Sequence, residues 1–148
     1  MDTLLDLPKS DTQAVVDILN RILEAELAGV IRYTHYSLMV FGPDRLPLVT
    51  WLRQQAAESL LHSQEVGEII TTLGAHPSLN IGPMLETHQH DTVSILQESL
   101  AHEEAAIRLY RELLASVKDR SVLIEEFARK MIGTEELHLG EVRKMLPR

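Results

Sequence analysis

The sequence predicts an all-α protein, an antiparallel four-helix bundle with a long crossover between the second and third helices. Apolar residues recur every three or four positions along four segments, the spacing of one helix face. Proline and glycine are concentrated between those segments, and segments with the alternation of a β-strand are nearly absent. A length of 148 residues suits one domain, residues 1–148, with a hydrophobic core.

Each predicted helix is bounded by helix-breaking or capping residues. Ser10 or Asp11 is predicted to cap the first helix, and Asp119 or Ser121 to precede the fourth. Pro47 is tolerated in the first turn of the second helix. The predicted bounds are Thr12–Phe41, Pro47–Gly74, Leu85–Val117 and, after Asp119 or Ser121, a fourth helix to Met145.

The lengths of the links predict how the helices run. Short links join the first helix to the second and the third to the fourth, so each pair is expected to pack antiparallel. The link from Gly74 to Met84 is longer and holds two prolines and two glycines. It has the length to cross the whole bundle and to leave the second and third helices parallel.

Composition excludes several classes of function. The net charge is −8 without a Lys/Arg-rich tail, which argues against nucleic acid as a partner. The absence of cysteine excludes thiolate metal sites and thiol catalysis. No apolar run reaches the length of a membrane span, and Met1-Asp2-Thr3 lacks the start of a signal peptide. A cytoplasmic location and no membrane partner are therefore expected.

Carboxylates and histidines interrupt the middle of each apolar stripe. The interval from Glu26 to Glu58 is 32 residues, and the interval from Glu103 to Glu135 is also 32. Histidines follow the second glutamate of each half. The candidate metal ligands, which are also the candidate catalytic residues, are Glu26, Glu58, His62, Glu103, Glu135 and His138.

Two metal ions explain why these groups lie on apolar faces. A carboxylate buried in a bundle loses its hydration, at a cost of several kcal/mol unless it is paired. Four carboxylates and two divalent ions sum to zero charge, and a histidine nitrogen favours iron, manganese or zinc over magnesium or calcium. The alternative is a set of interhelical salt bridges on solvated faces, which a single Glu-x-x-His pair would not exclude.

The two halves are alike in further positions but differ in one spacing. Tyr33 and Tyr110 each follow a predicted ligand glutamate by seven residues, so each phenol is predicted to donate a hydrogen bond to a carboxylate ligand. His62 follows its glutamate by four residues and His138 by three; both spacings keep one helix face, but the ring of His62 must approach from another angle. Glu65 is a weaker candidate, as an accessory ligand or a surface ion-pair partner.

With these residues identified, the chain resembles the ferritin-like superfamily, and most of all the bacterioferritins. The resemblance implies that Glu26, His62, Glu103, Glu135 and His138 are di-iron ligands. The family pattern would place the remaining glutamate at Ser59, whereas the 32-residue repeat selects Glu58. The matching stretches are Leu19-Asn20 through Glu26-Leu27, Tyr33, His62 through Gly74, Gly74 through Gly82, Glu103, Arg111-Glu112 and Glu135 through His138.

The resemblance implies a ferroxidase, which binds two Fe²⁺ per chain and oxidises them with O₂ or peroxide for iron storage or detoxification. Manganese or zinc are the other metals that the ligands suit. One alternative is a non-storage, rubrerythrin-like di-metal oxidase or peroxidase without a cysteine-ligated iron domain. The other is a structural metal-binding bundle.

Two departures from bacterioferritin bear on haem and on assembly. Bacterioferritins bind haem through a methionine two residues before the second-helix histidine, and this chain has Leu60 there, so no haem is expected. No fifth helix is expected after the fourth. Apolar residues off the metal stripe predict a homo-oligomer, at least a dimer through the first two helices, namely Val16, Ile31, Leu38, Leu52 and Leu61.

Overall fold

A computed structural model describes residues 3–84 and 86–148, with side chains from residue 5 onward. Four helices make up most of it: α1 (Lys9–Met39), α2 (Arg45–Thr72), α3 (Thr92–Val117) and α4 (Val122–Met145). A minimal antiparallel hairpin precedes them, in which β1 (Thr3–Leu4) pairs with β2 (Leu7–Pro8). The predicted all-α four-helix bundle is confirmed.

Two apolar clusters fill the bundle, one at each end. The first joins the start of α1 and of α4 to the end of α2 and of α3, with Leu19, Ile70, Leu113 and Met131 among its members. The second joins the end of α1 and of α4 to the start of α2 and of α3. Because α2 and α3 both run from the second cluster to the first, they are parallel, and the crossover between them spans the bundle.

The crossover, residues 73–91, is bonded along the outside of α1. Asn20 accepts a hydrogen bond from the Ser78 amide at 2.8 Å, and Glu24 accepts one from the Ser78 hydroxyl at 2.6 Å. Further along, the Gly82 amide donates to the backbone oxygen of Glu24 at 2.9 Å. A Cβ on Gly82 would lie 2.9 Å from that oxygen, so the close approach requires glycine.

The third helix begins later in the chain than predicted. The predicted start, Leu85, lies outside the described residues, but α3 starts only at Thr92. His88 has a positive φ of 58°, which no helix accommodates, and the Asp91 side chain caps the helix by accepting from the Ser94 amide at 3.1 Å. The residues just before Thr92 therefore belong to the crossover.

The first helix also differs from its predicted start. It begins at Lys9 directly after the hairpin, with Pro8 at the capping position and no side-chain cap, so neither Ser10 nor Asp11 caps it. Asp11 instead pairs with Arg120. For α4 the prediction was right, because the Ser121 hydroxyl accepts from the Ile124 amide at 3.3 Å.

The predicted second apolar band on the first two helices is partly wrong. Val16 and Leu52 are buried within the bundle core, since the apolar face of each helix is wider than one stripe. Ile31, Leu38 and Leu61 are 44%, 58% and 52% exposed, so these three remain available for an interface. None of the helices among the described residues combines the length and the apolarity that crossing a membrane demands.

Candidate metal centre

The predicted ligands lie halfway along the bundle, between the two apolar clusters. Glu26 comes from α1, Glu58 and His62 from α2, Glu103 from α3, and Glu135 and His138 from α4. Each lies midway along a helix face that is otherwise apolar and packs against the other helices. The four helices therefore direct polar groups to one level of the bundle.

Glu26, His62 and Glu135 form the inner part of the centre. All three are buried, and one ligand atom from each lies within 4.8 Å of the other two. The Nδ1 atom of His62 lies 3.5 Å from Glu26 Oε2 and 3.5 Å from Glu135 Oε1. Donors about 2.0–2.2 Å from one ion lie roughly 3.4 Å apart in a tetrahedral arrangement, so these separations suit a shared metal.

Glu135 connects the inner group to the remaining three residues. Its carboxyl group shares a hydrogen bond with Glu103, and its Oε2 lies 3.7 Å from His138 Nδ1. On the other side of that ring, His138 Nε2 lies 3.0 Å from Glu58 Oε2. The structure therefore brings all six predicted residues into one contiguous cluster.

The two histidines face the cluster differently. His62 directs Nδ1 at both Glu26 and Glu135, whereas His138 directs Nε2 at Glu58 and Nδ1 at Glu135. The different spacing of the two Glu–His pairs accounts for this, since a step of four residues and a step of three rotate a helical side chain by different amounts. The side chain of Glu58 is 34% exposed and that of His138 is 21% exposed, so their edge of the cluster is nearer solvent.

Burial and mutual contact shift the pKa values of the cluster. Burial raises the pKa of Glu26 and, with the hydrogen bond to Glu135, raises that of Glu103 well above its usual range. For Glu135 burial also favours the neutral form, but the contacts with Glu103 and His138 outweigh it and lower the pKa to about 2. One proton between Glu103 and Glu135 thus resides on Glu103.

The same contacts favour the charged form of both histidines. Burial alone would lower the pKa of His62, but its contact with Glu26 outweighs burial and raises the pKa. The contact with Glu135 raises the pKa of His138. Protons therefore balance the carboxylate charge in the metal-free cluster, at the positions where a cation would do the same.

The donor set fits metal ions in a second respect. Glu58 Oε2 and Glu135 Oε2 are buried atoms to which His138 lies 3.0 and 3.7 Å away, but neither contact has the geometry of a hydrogen bond. A buried carboxylate oxygen without a donor costs about 1–3 kcal/mol, or more when it is charged. Metal coordination would satisfy both atoms, and the mixture of carboxylate and imidazole suits iron, manganese or zinc.

Comparisons with known proteins agree with this geometry. A model of the ferritin-like domain family matches residues 16–148. The chain belongs to the ferritin-like domain family. No curated protein matches the sequence of this ferritin-like chain.

Solved structures share the fold at low sequence identity. A ferritin-like, diiron-carboxylate protein from Bacillus anthracis str. Ames superposes with a TM-score of 0.88 at 22% identity, over 93% of this chain and 98% of that one. A DPS protein from Vibrio cholerae O1, described as a ferritin-like diiron-carboxylate protein, gives 0.90 at 17% identity, over 99% and 98%. The Desulfovibrio desulfuricans bacterioferritin, which has a diiron site, gives 0.84 at 20% identity, over 93% and 80%.

Each of the two predicted tyrosines contacts a carboxylate of the cluster on the facing helix. Tyr33 on α1 donates a hydrogen bond to Glu103 on α3, and Tyr110 on α3 donates one to Glu26 on α1 at 3.0 Å. Both phenols are buried, and burial next to these carboxylates raises both tyrosine pKa values well above the usual range. Both phenols therefore stay protonated and act as donors that orient the carboxylates.

Ser59, where the family pattern would have a glutamate, is buried against α1. A Cβ on Gly29 would lie 2.7 Å from Ser59 Oγ, so the two helices approach closely there. Glu65, the accessory candidate, is half-buried, helps to raise the pKa of His62, and has a buried Oε2 that makes no hydrogen bond. It lies beside the cluster on the α2 stripe.

Sequence reasoning missed a second buried polar network near the centre. Tyr36 donates to the buried carboxylate of Glu98 at 2.6 Å and accepts from Arg32 at 2.9 Å, while Thr87 of the crossover also donates to Glu98. Glu98 lies between the stripe residues Leu96 and Leu100, so helical periodicity gave no signal for it. This network fastens the end of the crossover to α1 and α3.

Proposed function

We propose that this ferritin-like chain is a ferroxidase-type oxidoreductase whose residues 1–148 form a single di-iron domain. The observation that supports the proposal is the contiguous cluster of four carboxylates and two histidines, in which Glu26, His62, Glu103 and Glu135 are buried and His138 and Glu58 are partly exposed. The six residues would hold two Fe²⁺ ions, which are the substrate.

The proposed oxidation of Fe²⁺ balances in electrons and protons with either O₂ or hydrogen peroxide as the oxidant. Oxidation removes one electron from each Fe²⁺, and two electrons with two protons reduce O₂ to hydrogen peroxide, or reduce hydrogen peroxide to two water molecules. Glu135, in contact with Glu103 and both histidines, would hold the two ions at a separation that lets them share one oxidant. Tyr33 and Tyr110 would keep Glu103 and Glu26 oriented throughout.

Anaerobic Fe²⁺ titration followed by exposure to air tests the proposal. The native protein is expected to bind two Fe²⁺ per chain and to oxidise both. Glu103→Ala and Glu135→Ala are each expected to abolish oxidation with little change in helix content. Glu104→Ala and Glu136→Ala are matched controls, because each removes a neighbouring carboxylate that pairs with a surface arginine. Wild-type oxidation rates in the first two variants would contradict the proposal.

Particle mass separates storage from non-storage chemistry. Ile31, Leu38 and Leu61, together with Leu60 at 45% exposure, leave an apolar surface on α1 and α2 that a second subunit would cover. We expect at least a dimer. A mass of many subunits would favour iron storage, a dimer would favour the rubrerythrin-like oxidase or peroxidase, and a monomer would contradict the interface. A purified protein that neither binds nor oxidises iron would favour the structural bundle.

A further inference from the structure

A second group of ligating side chains lies outside the buried centre, between α1 and the crossover. It consists of His35 on α1 with Glu86 and His90 on the crossover, and we call it the crossover histidine site. His35 Nε2 lies 3.2 Å from Glu86 Oε2, and His90 Nε2 lies 3.5 Å from the same oxygen. One ligand atom from each residue lies within 4.8 Å of the other two.

This site is separate from the di-iron ligands. His35 follows Glu26 by nine residues, which at 100° per residue is half a turn from it around the helix and about 14 Å along the axis. Glu26 faces the bundle interior, so His35 faces the opposite side, where the crossover runs. Glu86 and His90 belong to that crossover, and no ligand of the buried centre takes part.

The separations suit one tetrahedral transition-metal ion. Metal–nitrogen and metal–oxygen bonds of about 2.0–2.2 Å place neighbouring ligands roughly 3.4 Å apart. The two measured contacts of 3.2 and 3.5 Å lie on either side of this value. Two imidazoles and one carboxylate are a donor set that zinc and ferrous iron accept and that magnesium and calcium do not prefer.

The side chains of the crossover histidine site are held in position, but they do not satisfy all of one another's ligating atoms. The Nε2 atom of His90 is buried and makes no hydrogen bond. Glu86 Oε1 accepts from the His88 amide at 2.5 Å, while Glu86 Oε2 is the oxygen that contacts both histidines. The same hydrogen bond lowers the pKa of Glu86, so the carboxylate is charged at neutral pH.

We propose that His35, Glu86 and His90 bind one divalent transition-metal ion of the Zn²⁺ class, and that this ion fastens the crossover to α1. The position of the site along the crossover explains why a bound ion would fasten it to α1. The Gly82 amide fixes the crossover to α1 upstream, and Thr87 and Asp91 are fixed to α3 downstream. Glu86 and His90 lie on either side of Thr87, and His35 contacts this segment from α1.

Zn²⁺ counting by equilibrium dialysis on the full chain tests the proposal. In a Glu26→Ala/Glu135→Ala background, which lacks the buried centre, one Zn²⁺ per chain is expected to remain bound. Adding His35→Ala or His90→Ala is expected to remove it. Adding His76→Ala, which removes an exposed histidine of the same crossover, is expected to leave it. Hydrogen exchange in residues 86–90 is expected to slow with Zn²⁺ in the background protein and in the His76→Ala control alone.

The outcomes separate this site from the di-iron proposal. If the background variant does not fold, the native chain gives the answer, because His90→Ala must bind one Zn²⁺ fewer than native protein whatever the buried centre binds. A background protein that binds no Zn²⁺, or that keeps its Zn²⁺ after both histidine substitutions, would overturn the site. Zn²⁺ binding that leaves exchange in residues 86–90 unchanged would overturn the fastening of the crossover.

Discussion

Glu103 and Glu135 are adjacent carboxyl groups, and substituting each by glutamine should change the stability of the metal-free protein by very different amounts. Glu103 holds the shared proton, since its pKa is raised by burial and by Glu135, and its Oε1 accepts a hydrogen bond from Tyr33. A glutamine at position 103 donates its amide N–H to Glu135 and accepts from Tyr33 through its carbonyl. Glu103→Gln should therefore change the free energy of unfolding by less than about 1 kcal/mol, the net size of one hydrogen bond.

Glu135→Gln removes a charge that two histidines depend on. Its carboxylate lies 3.5 Å from His62 and 3.7 Å from His138, and it is 3% exposed. Removing one partner of a buried ion pair costs about 3–5 kcal/mol, and the partial exposure of His138 places this case near 3. At roughly 2–4 °C per kcal/mol for a chain of this size, the midpoint of thermal unfolding should fall by about 6–12 °C.

Thermal unfolding of EDTA-treated protein at neutral pH, followed by far-UV circular dichroism, measures both effects. Glu136→Gln is the control, because Glu136 is the exposed neighbour that pairs with Arg111. Both cluster variants should lose iron oxidation, but only Glu135→Gln should lose much stability. Equal losses, or a larger loss for Glu103→Gln, would refute the assignment of the shared proton.

Three other predictions concern pH, the crossover and haem. The pKa values of His62, His138, Glu26 and Glu103 are raised in the folded protein, so the stability that these groups contribute to metal-free protein should be largest at mildly acidic pH and should be lost as the pH rises through their folded-state pKa values; a flat profile of unfolding midpoints against pH would contradict this. Gly82→Ala should destabilise by about 1–3 kcal/mol in chemical denaturation, because its Cβ meets a backbone oxygen of α1, whereas Gly67→Ala, which meets nothing within 4 Å, should stabilise α2 by roughly 0.5–1 kcal/mol. Purified protein should show no stoichiometric Soret absorption, because Leu60 offers no axial ligand; a Soret band that is lost when a methionine is replaced would overturn this.

Helical periodicity predicted that the candidate ligands would lie at one level of the bundle, because burial is a local pattern on each helix. The six candidate ligands and the two tyrosines are all buried or half-buried. The lengths of the helices and the short links between paired helices then predicted that the ligands on the four helices lie at the same level. Those are properties that a single sequence encodes directly.

Helical periodicity did not predict which residues contact each other between helices. Tyr33 shares a face with Glu26, yet it bonds to Glu103 across the bundle, and Tyr110 bonds to Glu26 in turn. A stripe gives the direction of a side chain but not the partner on the facing helix. The start of α3 was placed too early, because the sequence does not show that Thr87 bonds to Glu98 or that His88 has a positive φ, and both keep the residues just before Thr92 out of the helix.

The position of Glu58 has a consequence for the order in which metal binds. Ser59 lies close against α1, where a Cβ on Gly29 would come within 2.7 Å of its Oγ. Glu58 instead reaches His138 from the flank of α2, where its side chain is 34% exposed, whereas Glu26 and His62 are buried on the opposite edge.

A more hydrated ligand pair competes less well with water, so the ion bound by Glu58 and His138 should be the weaker of the two. Anaerobic Fe²⁺ titration by calorimetry should therefore resolve two steps, and Glu58→Ala should remove the weaker step and preserve the tighter one. Glu68→Ala, a more distant carboxylate change on the exposed side of α2, should leave both steps intact. A single step in native protein, or loss of both steps in Glu58→Ala, would show that the two metal positions are not distinguished by solvent access at this edge.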